Sequence, residues 1–217
     1  EMTRTLTTSI TSIRSIALLF ALVTSSACFD LDGFVWNPVQ CKSVDPNNDA
    51  CKTDHVCTPC NEPYPFDAIG IPSSSVRQVT VDISGKQTLD AYLISSGGER
   101  ASTVIVYAHG NYGGIEHYLN RLKLLYDMGV TIFAIDYRGF GKSSTTDKPD
   151  EPTFMDDVHK TRAALDPFLA NIDGVRVVDY AYSAGALAAV ELAVTSKPCA
   201  LILEAPLASV QSFAAKI

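Results

Sequence analysis

The stretch Val175-Arg-Val-Val-Asp-Tyr-Ala-Tyr-Ser-Ala-Gly185 decides the architecture. It opens apolar and closes on small residues around one hydroxyl, and Ala184 to Ser196 continues as a small-residue helix. A buried strand that runs straight into a helix is half of a βαβ crossover. At that junction Ala181-x-Ser183-x-Gly185 fits the Gly-x-Ser-x-Gly elbow, with alanine in place of the first glycine. The requirement is steric. The bend is so tight that the residues two before and two after the serine must be small, and Ala181 and Gly185 meet it. Such a bend lifts the Ser183 hydroxyl above the sheet. It also aims the unpaired N–H groups of the helix start at the same place. The plainer alternative is a serine that caps an ordinary helix; the strand–helix junction favours the elbow.

Working outward, Val79, Val81 and Ile83 alternate with polar residues, and Leu89, Ala91 and Leu93 do so after a Ser84-Gly85-Lys86 turn. This predicts a half-exposed antiparallel hairpin. Thr103-Val-Ile-Val-Tyr-Ala108, Thr131-Ile-Phe-Ala-Ile135, Val175-Arg-Val-Val178 and Ala200-Leu-Ile-Leu203 predict four buried strands. Between them Ile115, Leu119, Leu122 and Tyr126 recur at helical spacing, with Gly129 closing that helix. Val158, Leu165, Leu169 and Ile172 mark a second helix. Strand–helix alternation implies an α/β fold: a mostly parallel sheet with helices on both faces and right-handed crossovers. Ligands in such sheets bind beyond the carboxyl ends of the strands.

Two more loops at that edge are distinctive. His109-Gly110-Asn111 follows the first buried strand. Gly110 lets the backbone approach closely, so the N–H of Asn111 and the N–H of Ala184 can form an oxyanion hole. Losing one such donor costs about 10²–10³ in rate. Tyr112-Gly113-Gly114 leaves an ordinary glycine turn as the alternative. His109 itself is expected under the loop in a structural hydrogen bond. Asp136-Tyr-Arg-Gly-Phe-Gly-Lys-Ser143 follows the second strand, but the Gly-x4-Gly-Lys-Ser/Thr spacing of a phosphate loop is absent.

Together these segments resemble the α/β-hydrolase superfamily, in its serine-hydrolase branch. The likeness rests on His-Gly-Asn, Asp-Tyr-Arg-Gly-Phe-Gly-Lys-Ser, the serine elbow and Leu-Ile-Leu-Glu-Ala-Pro206, in that order over residues 76–217. The resemblance implies that Ser183 is the nucleophile and that the amides of Asn111 and Ala184 form the oxyanion hole. It implies transfer of an acyl group to water from an ester, thioester or amide of a small molecule or peptide, through an acyl-enzyme. It implies no metal or organic cofactor. In that superfamily the acid and then the histidine follow the serine. Here the histidines are His55, His109, His117 and His159, all before Ser183, and the later acids are Glu191 and Glu204. The expectation is therefore a hydrolase domain at 76–217 whose last strands, acid and base are missing, leaving the fragment nearly inactive. Glu204 is read as a strand-end carboxylate before it is read as a triad acid. The alternative function is a non-catalytic binding module of the same fold. Asp179 stands in a strand that should be apolar, so a partner is expected, Arg176 or a neighbouring loop.

The rest of the chain sets the compartment. Residues 1–27 carry Arg4 and Arg14, then the apolar run Ser15 to Val23, then small residues, in the order of a secretory signal. Ser26-Ala27-Cys28 resembles a lipoprotein box, so Cys28 is a candidate lipidation site, with Ser25 departing from that pattern. Residues 28–75 read as a linker holding Cys41, Cys51, Cys57 and Cys60. In an exported chain these predict two disulfides of undetermined connectivity; Cys51, His55, Cys57 and Cys60 as zinc ligands are the rival. Cys199 is expected to be a buried, inert thiol. A net charge of −7 over 217 residues argues against a nucleic-acid partner, and 47% hydrophobic residues supply an ordinary core. The expected location is outside the cytoplasm, with membrane contact only through the lipid.

Overall fold

Two strands that carry continuous apolar runs, Val104–Ala108 and Ile132–Ile135, form the centre of the sheet, because both faces of those runs are covered. In the computed structural model, which describes Pro38 and residues 62–85, 87–143 and 149–207, these are β3 (Arg100–Ala108) and β4 (Val130–Asp136). The hairpin β1 (Val76–Ser84) and β2 (Gln87–Ser95) flanks β4, and β5 (Arg176–Tyr182) and β6 (Ala200–Glu204) flank β3. The order is β1-β2-β4-β3-β5-β6. β1, β2 and β4 pair antiparallel, while β4, β3, β5 and β6 pair parallel. The antiparallel hairpin and the mostly parallel sheet agree with the sequence.

Helices lie on both faces, and the period of two along each strand sorts the core accordingly. Val104, Val106, Ala108, Phe133 and Ile135 face α2 (Glu151–Leu169) and α3 (Ala186–Ser196), where Phe154, Val158, Leu165, Ala188 and Leu192 meet them. Ile105, Tyr107, Ile132 and Ala134 face Ile115, Leu119 and Leu122 on the other side. The helix there starts as a 3-10 turn, Ile115–Tyr118, and continues as α1 (Leu119–Asp127). α2 begins where Asp150 accepts the Thr153 N–H at 2.8 Å, an N-cap followed by Glu151 and Pro152 in the first turn. Among the described residues no helix is long and apolar enough to cross a membrane.

Three expectations change. β6 is exposed, with Leu201, Ile202 and Leu203 38–48% accessible, because the described residues cover neither its outer edge nor both of its faces. Cys199, just before β6, is exposed for the same reason. Packing also begins before residue 76. Tyr64, Phe66 and Ile71, within the expected linker, are buried against Tyr92 and Ile94 on the α1 side. The expected signal, Cys28, the four linker cysteines, His55 and residues 208–217 lie outside the described residues.

Candidate active site

β5 ends at Tyr182, and Ser183 turns the chain with φ 54°, in the left-handed region that residues with a Cβ avoid. A short 3-10 turn, Ser183–Gly185, then leads into α3. Gly185 explains why the elbow must be small. A Cβ there would stand 2.6 Å from His109 O and the Ala108 carbonyl carbon, and closer still to the Ala108 oxygen. The first turn of α3 is thus seated on the backbone end of β3. Ala181, two residues before Ser183, is fully buried in the same packing.

The loop after β3 meets that elbow. Gly110 is the point of contact: a Cβ on it would lie 3.2 Å from Ser183 Cβ, 3.1 Å from Tyr182 Cδ1 and 2.9 Å from Tyr118 Oη. Asn111, the next residue, is therefore carried to the same sheet edge as Ser183 and Ala184. His109 is fully buried beneath the loop, its Nδ1–H donating to Gly110 O at 2.6 Å. The carbonyl only accepts, so Nδ1 holds the proton and Nε2 faces the interior with no partner among the described residues. Burial pushes the imidazole pKa down to about 4, and its ring stacks among Tyr118, Tyr137 and Phe140. His109 is a neutral strut, as the sequence implied.

Asp136 holds the neighbouring loops together. It is fully buried and accepts from Tyr64 Oη at 2.6 Å, from the Ile115 N–H at 2.7 Å and from the Lys142 N–H at 3.0 Å. Burial raises its pKa to about 6, although each of those bonds pulls the other way. Gly114 and Gly141 must lack a Cβ because each packs against this carboxylate. The Gly-Phe-Gly-Lys excursion is secured further by Arg138, whose Nε and guanidinium donate to Asp157 at 2.8 Å in a buried bidentate pair. Ser143 Oγ closes the loop onto Asp136 O at 2.5 Å. That motif is a scaffold for the site's edge.

The remaining candidates are engaged elsewhere. Glu204 accepts from Arg121 at 2.5 Å and from Tyr180 Oη, which hold its carboxyl below the usual range. The Arg121 guanidinium also lies 3.8 Å over the Tyr182 ring. Glu191, on α3, meets His159 of α2 at 2.9 Å on an exposed helix surface. His117 packs in the loop against Gly113 and Tyr112. Asp179 is buried, and neither carboxylate oxygen has a partner among the described residues. Arg176 does not serve it: residues three apart on a strand face opposite ways, and Arg176 donates to Thr103 Oγ1 at 3.1 Å instead. Desolvation lifts the Asp179 pKa to about 6, opposed only by the charge of Arg162 on α2.

Sequence reasoning gave no role to Tyr64 or Tyr118. Tyr64 lay in an unpatterned segment, and Tyr118 fell between the apolar positions that marked the helix. Neither carries a local signal: the partner of Tyr64 lies seventy-two positions on, and the tie from Tyr118 to Tyr112 spans an irregular loop with no periodic pattern.

A mostly parallel sheet of this order, with a left-handed serine between a strand and a helix, defines an α/β-hydrolase. Residues 99–217 match the hydrolase family described as serine aminopeptidase, S33, and the chain belongs to that family. Among curated relatives, an uncharacterized protein of Mycobacterium tuberculosis is 25% identical over 151 residues, 70% of this chain and 52% of that one. Protein bem46 of Schizosaccharomyces pombe is 30% identical over 132 residues, 58% of this chain and 42% of that one. The chain spans about half the length of the curated relatives it matches. Among solved structures, an esterase of Pyrococcus furiosus shares the fold with a TM-score of 0.55 at 18% identity, over 72% of this chain and 60% of that one. A lidless serine hydrolase of Xanthomonas campestris does so with a TM-score of 0.51 at 18% identity, over 63% of each.

Proposed function

We propose that this protein is a serine hydrolase in which Ser183 attacks the carbonyl of an ester, thioester or amide and forms an acyl-enzyme that water then cleaves. The backbone amides of Asn111 and Ala184 bind the oxyanion of each tetrahedral intermediate. What supports this reading is Ser183 at φ 54° on the tip of the strand–helix elbow, with Gly110 of the facing loop packed against it. A strained conformation persists only where the surroundings enforce it, and here Gly185 wedged onto β3 does so. The substrate is a small molecule or a peptide, and the reaction calls on no metal or organic cofactor. No histidine lies within residues 184–217. Residues 1–217 supply the nucleophile and the oxyanion hole of this site.

Fluorophosphonate labelling of the complete gene product tests this. Labelling that is lost in Ser183→Ala supports it; equal labelling of the two proteins removes Ser183 from the role. One observation favours a second reading, a non-catalytic binding module. His109 and His159 have their contacts elsewhere, with Gly110 O and Glu191. That reading predicts no labelling of either protein.

We also propose that the chain is exported, with residues 1–27 as its signal and a lipid on Cys28. A clickable fatty acid should mark the wild type and not Cys28→Ala. Absence of label on both would leave export without the anchor.

A further inference from the structure

Tyr118 stands where the loop after β3 meets the serine elbow. It closes the 3-10 turn before α1 and is 5% exposed. Its ring stacks on His109, with centroids 5.3 Å apart, and meets the Tyr182 ring edge-on at 6.0 Å. Its hydroxyl oxygen accepts the Tyr112 N–H at 3.2 Å. One hydroxyl thus holds the residue after Asn111 while standing close to the glycine before it. The same oxygen and Ser183 Cβ lie 2.9 and 3.2 Å from the point where a Gly110 Cβ would stand.

We propose that Tyr118 is a positioning residue: its hydroxyl pins the loop at Tyr112 so that the neighbouring Asn111 amide keeps its place beside Ser183. This rests on the Ser183 reading given above. The hydroxyl contributes no proton to the reaction and acts through the loop. An amide donor is useful only where the developing oxyanion will be, and a displacement of about 1 Å costs roughly 10²-fold in rate. The ring packing on His109 and Tyr182 holds the phenyl in place without the hydroxyl. Tyr118→Phe therefore separates the pin from the packing, whereas Tyr118→Leu removes both.

The test combines two measurements on the complete gene product. Hydrogen exchange over residues 110–113 reads the loop, and the rate of fluorophosphonate labelling at Ser183 reads the site. Tyr118→Phe should speed exchange of the Tyr112 amide about tenfold, as expected for one lost hydrogen bond. It should slow labelling by roughly 10–100-fold, with a melting temperature near that of wild type. Tyr118→Leu should lower the melting temperature as well. Unchanged exchange in Tyr118→Phe overturns the inference, and so does faster exchange with labelling at the wild-type rate. If the wild type is not labelled at Ser183, the hydrolase reading fails, and wild-type exchange in Tyr118→Phe would still remove the pin.

Discussion

Gly185→Ala is a substitution whose sign the tertiary structure reverses. Gly185 has φ −58° and ψ −16°, an ordinary right-handed helical conformation. There alanine normally stabilises a chain by about 1 kcal/mol, because glycine loses more backbone freedom on folding. The methyl group, however, would stand 2.6 Å from His109 O and the Ala108 carbonyl carbon. Nonbonded carbons sit about 3.5 Å or more apart, so the overlap is near 1 Å. All the atoms it meets belong to the backbone at the end of β3, and none can rotate away. Overpacking costs about 1–3 kcal/mol, and this site falls at the top of that range. The net result is a loss of about 2 kcal/mol. Urea unfolding measures it. With a slope of about 2 kcal/mol per molar, the midpoint should fall by roughly 1 M. Gly97→Ala is the control, since nothing lies within 4 Å of its added Cβ and only its φ of +65° is strained; it should cost about 1 kcal/mol. A Gly185→Ala midpoint at or above wild type would refute the seating of α3 on β3, and with it the steric origin of the elbow.

Three further outcomes follow from the same structure. Ser183→Gly should stabilise the fold by about 1 kcal/mol by relieving the positive φ, whereas Ser183→Ala, which keeps its Cβ, should not; equal unfolding midpoints for the two would show that the turn stores no strain. Asp179→Asn should match wild-type stability near pH 4 and exceed it above pH 6 by about 3 kcal/mol. The native pKa, about 6, lies above the unfolded value, so the folded state holds the proton more tightly and loses stability as pH rises through that window. His109 works in the opposite sense, because its native pKa of about 4 lies below the unfolded value and its contribution is lost as pH falls toward 4. Only the difference between Asp179→Asn and wild type isolates the carboxylate, and a pH-independent difference would sink the assignment. Asp157→Ala takes the bidentate partner from the buried Arg138 guanidinium, which keeps its bond to Gln87 at 3.1 Å, and should cost about 3–5 kcal/mol in urea unfolding; a loss below 1 kcal/mol would mean that the Arg138–Asp157 pair does not secure the loop.

How much was legible depends on how far apart the interacting residues lie in the chain. The runs 103–108 and 131–135 announced buried strands because β3 and β4 are covered on both faces, and no polar position interrupts them. The Ala200–Leu203 run carried the same signal, but β6 stands at the sheet edge among the described residues. Apolar composition states a preference for burial; a neighbour must still supply it. Asp136 could be placed at a strand end from sequence, yet its role depends on Tyr64, seventy-two positions earlier. Asp179 was recognised as anomalous, but the guess of Arg176 failed on strand parity, and the opposing charge came from α2.

By itself the sequence determined the local chemistry: which segments could be strands, where the chain must bend tightly, and which hydroxyl sits on that bend. Those are properties of short windows, set by the period of the apolar residues and by the volume allowed at Ala181 and Gly185. Only the tertiary structure decided what surrounds the hydroxyl. The contact of Gly110 with Ser183 and the burial of Asp136 under Tyr64 each join segments with no shared local pattern. Their cause is the order in which strands lie side by side. That order follows from the packing of both sheet faces at once, a property no short window contains.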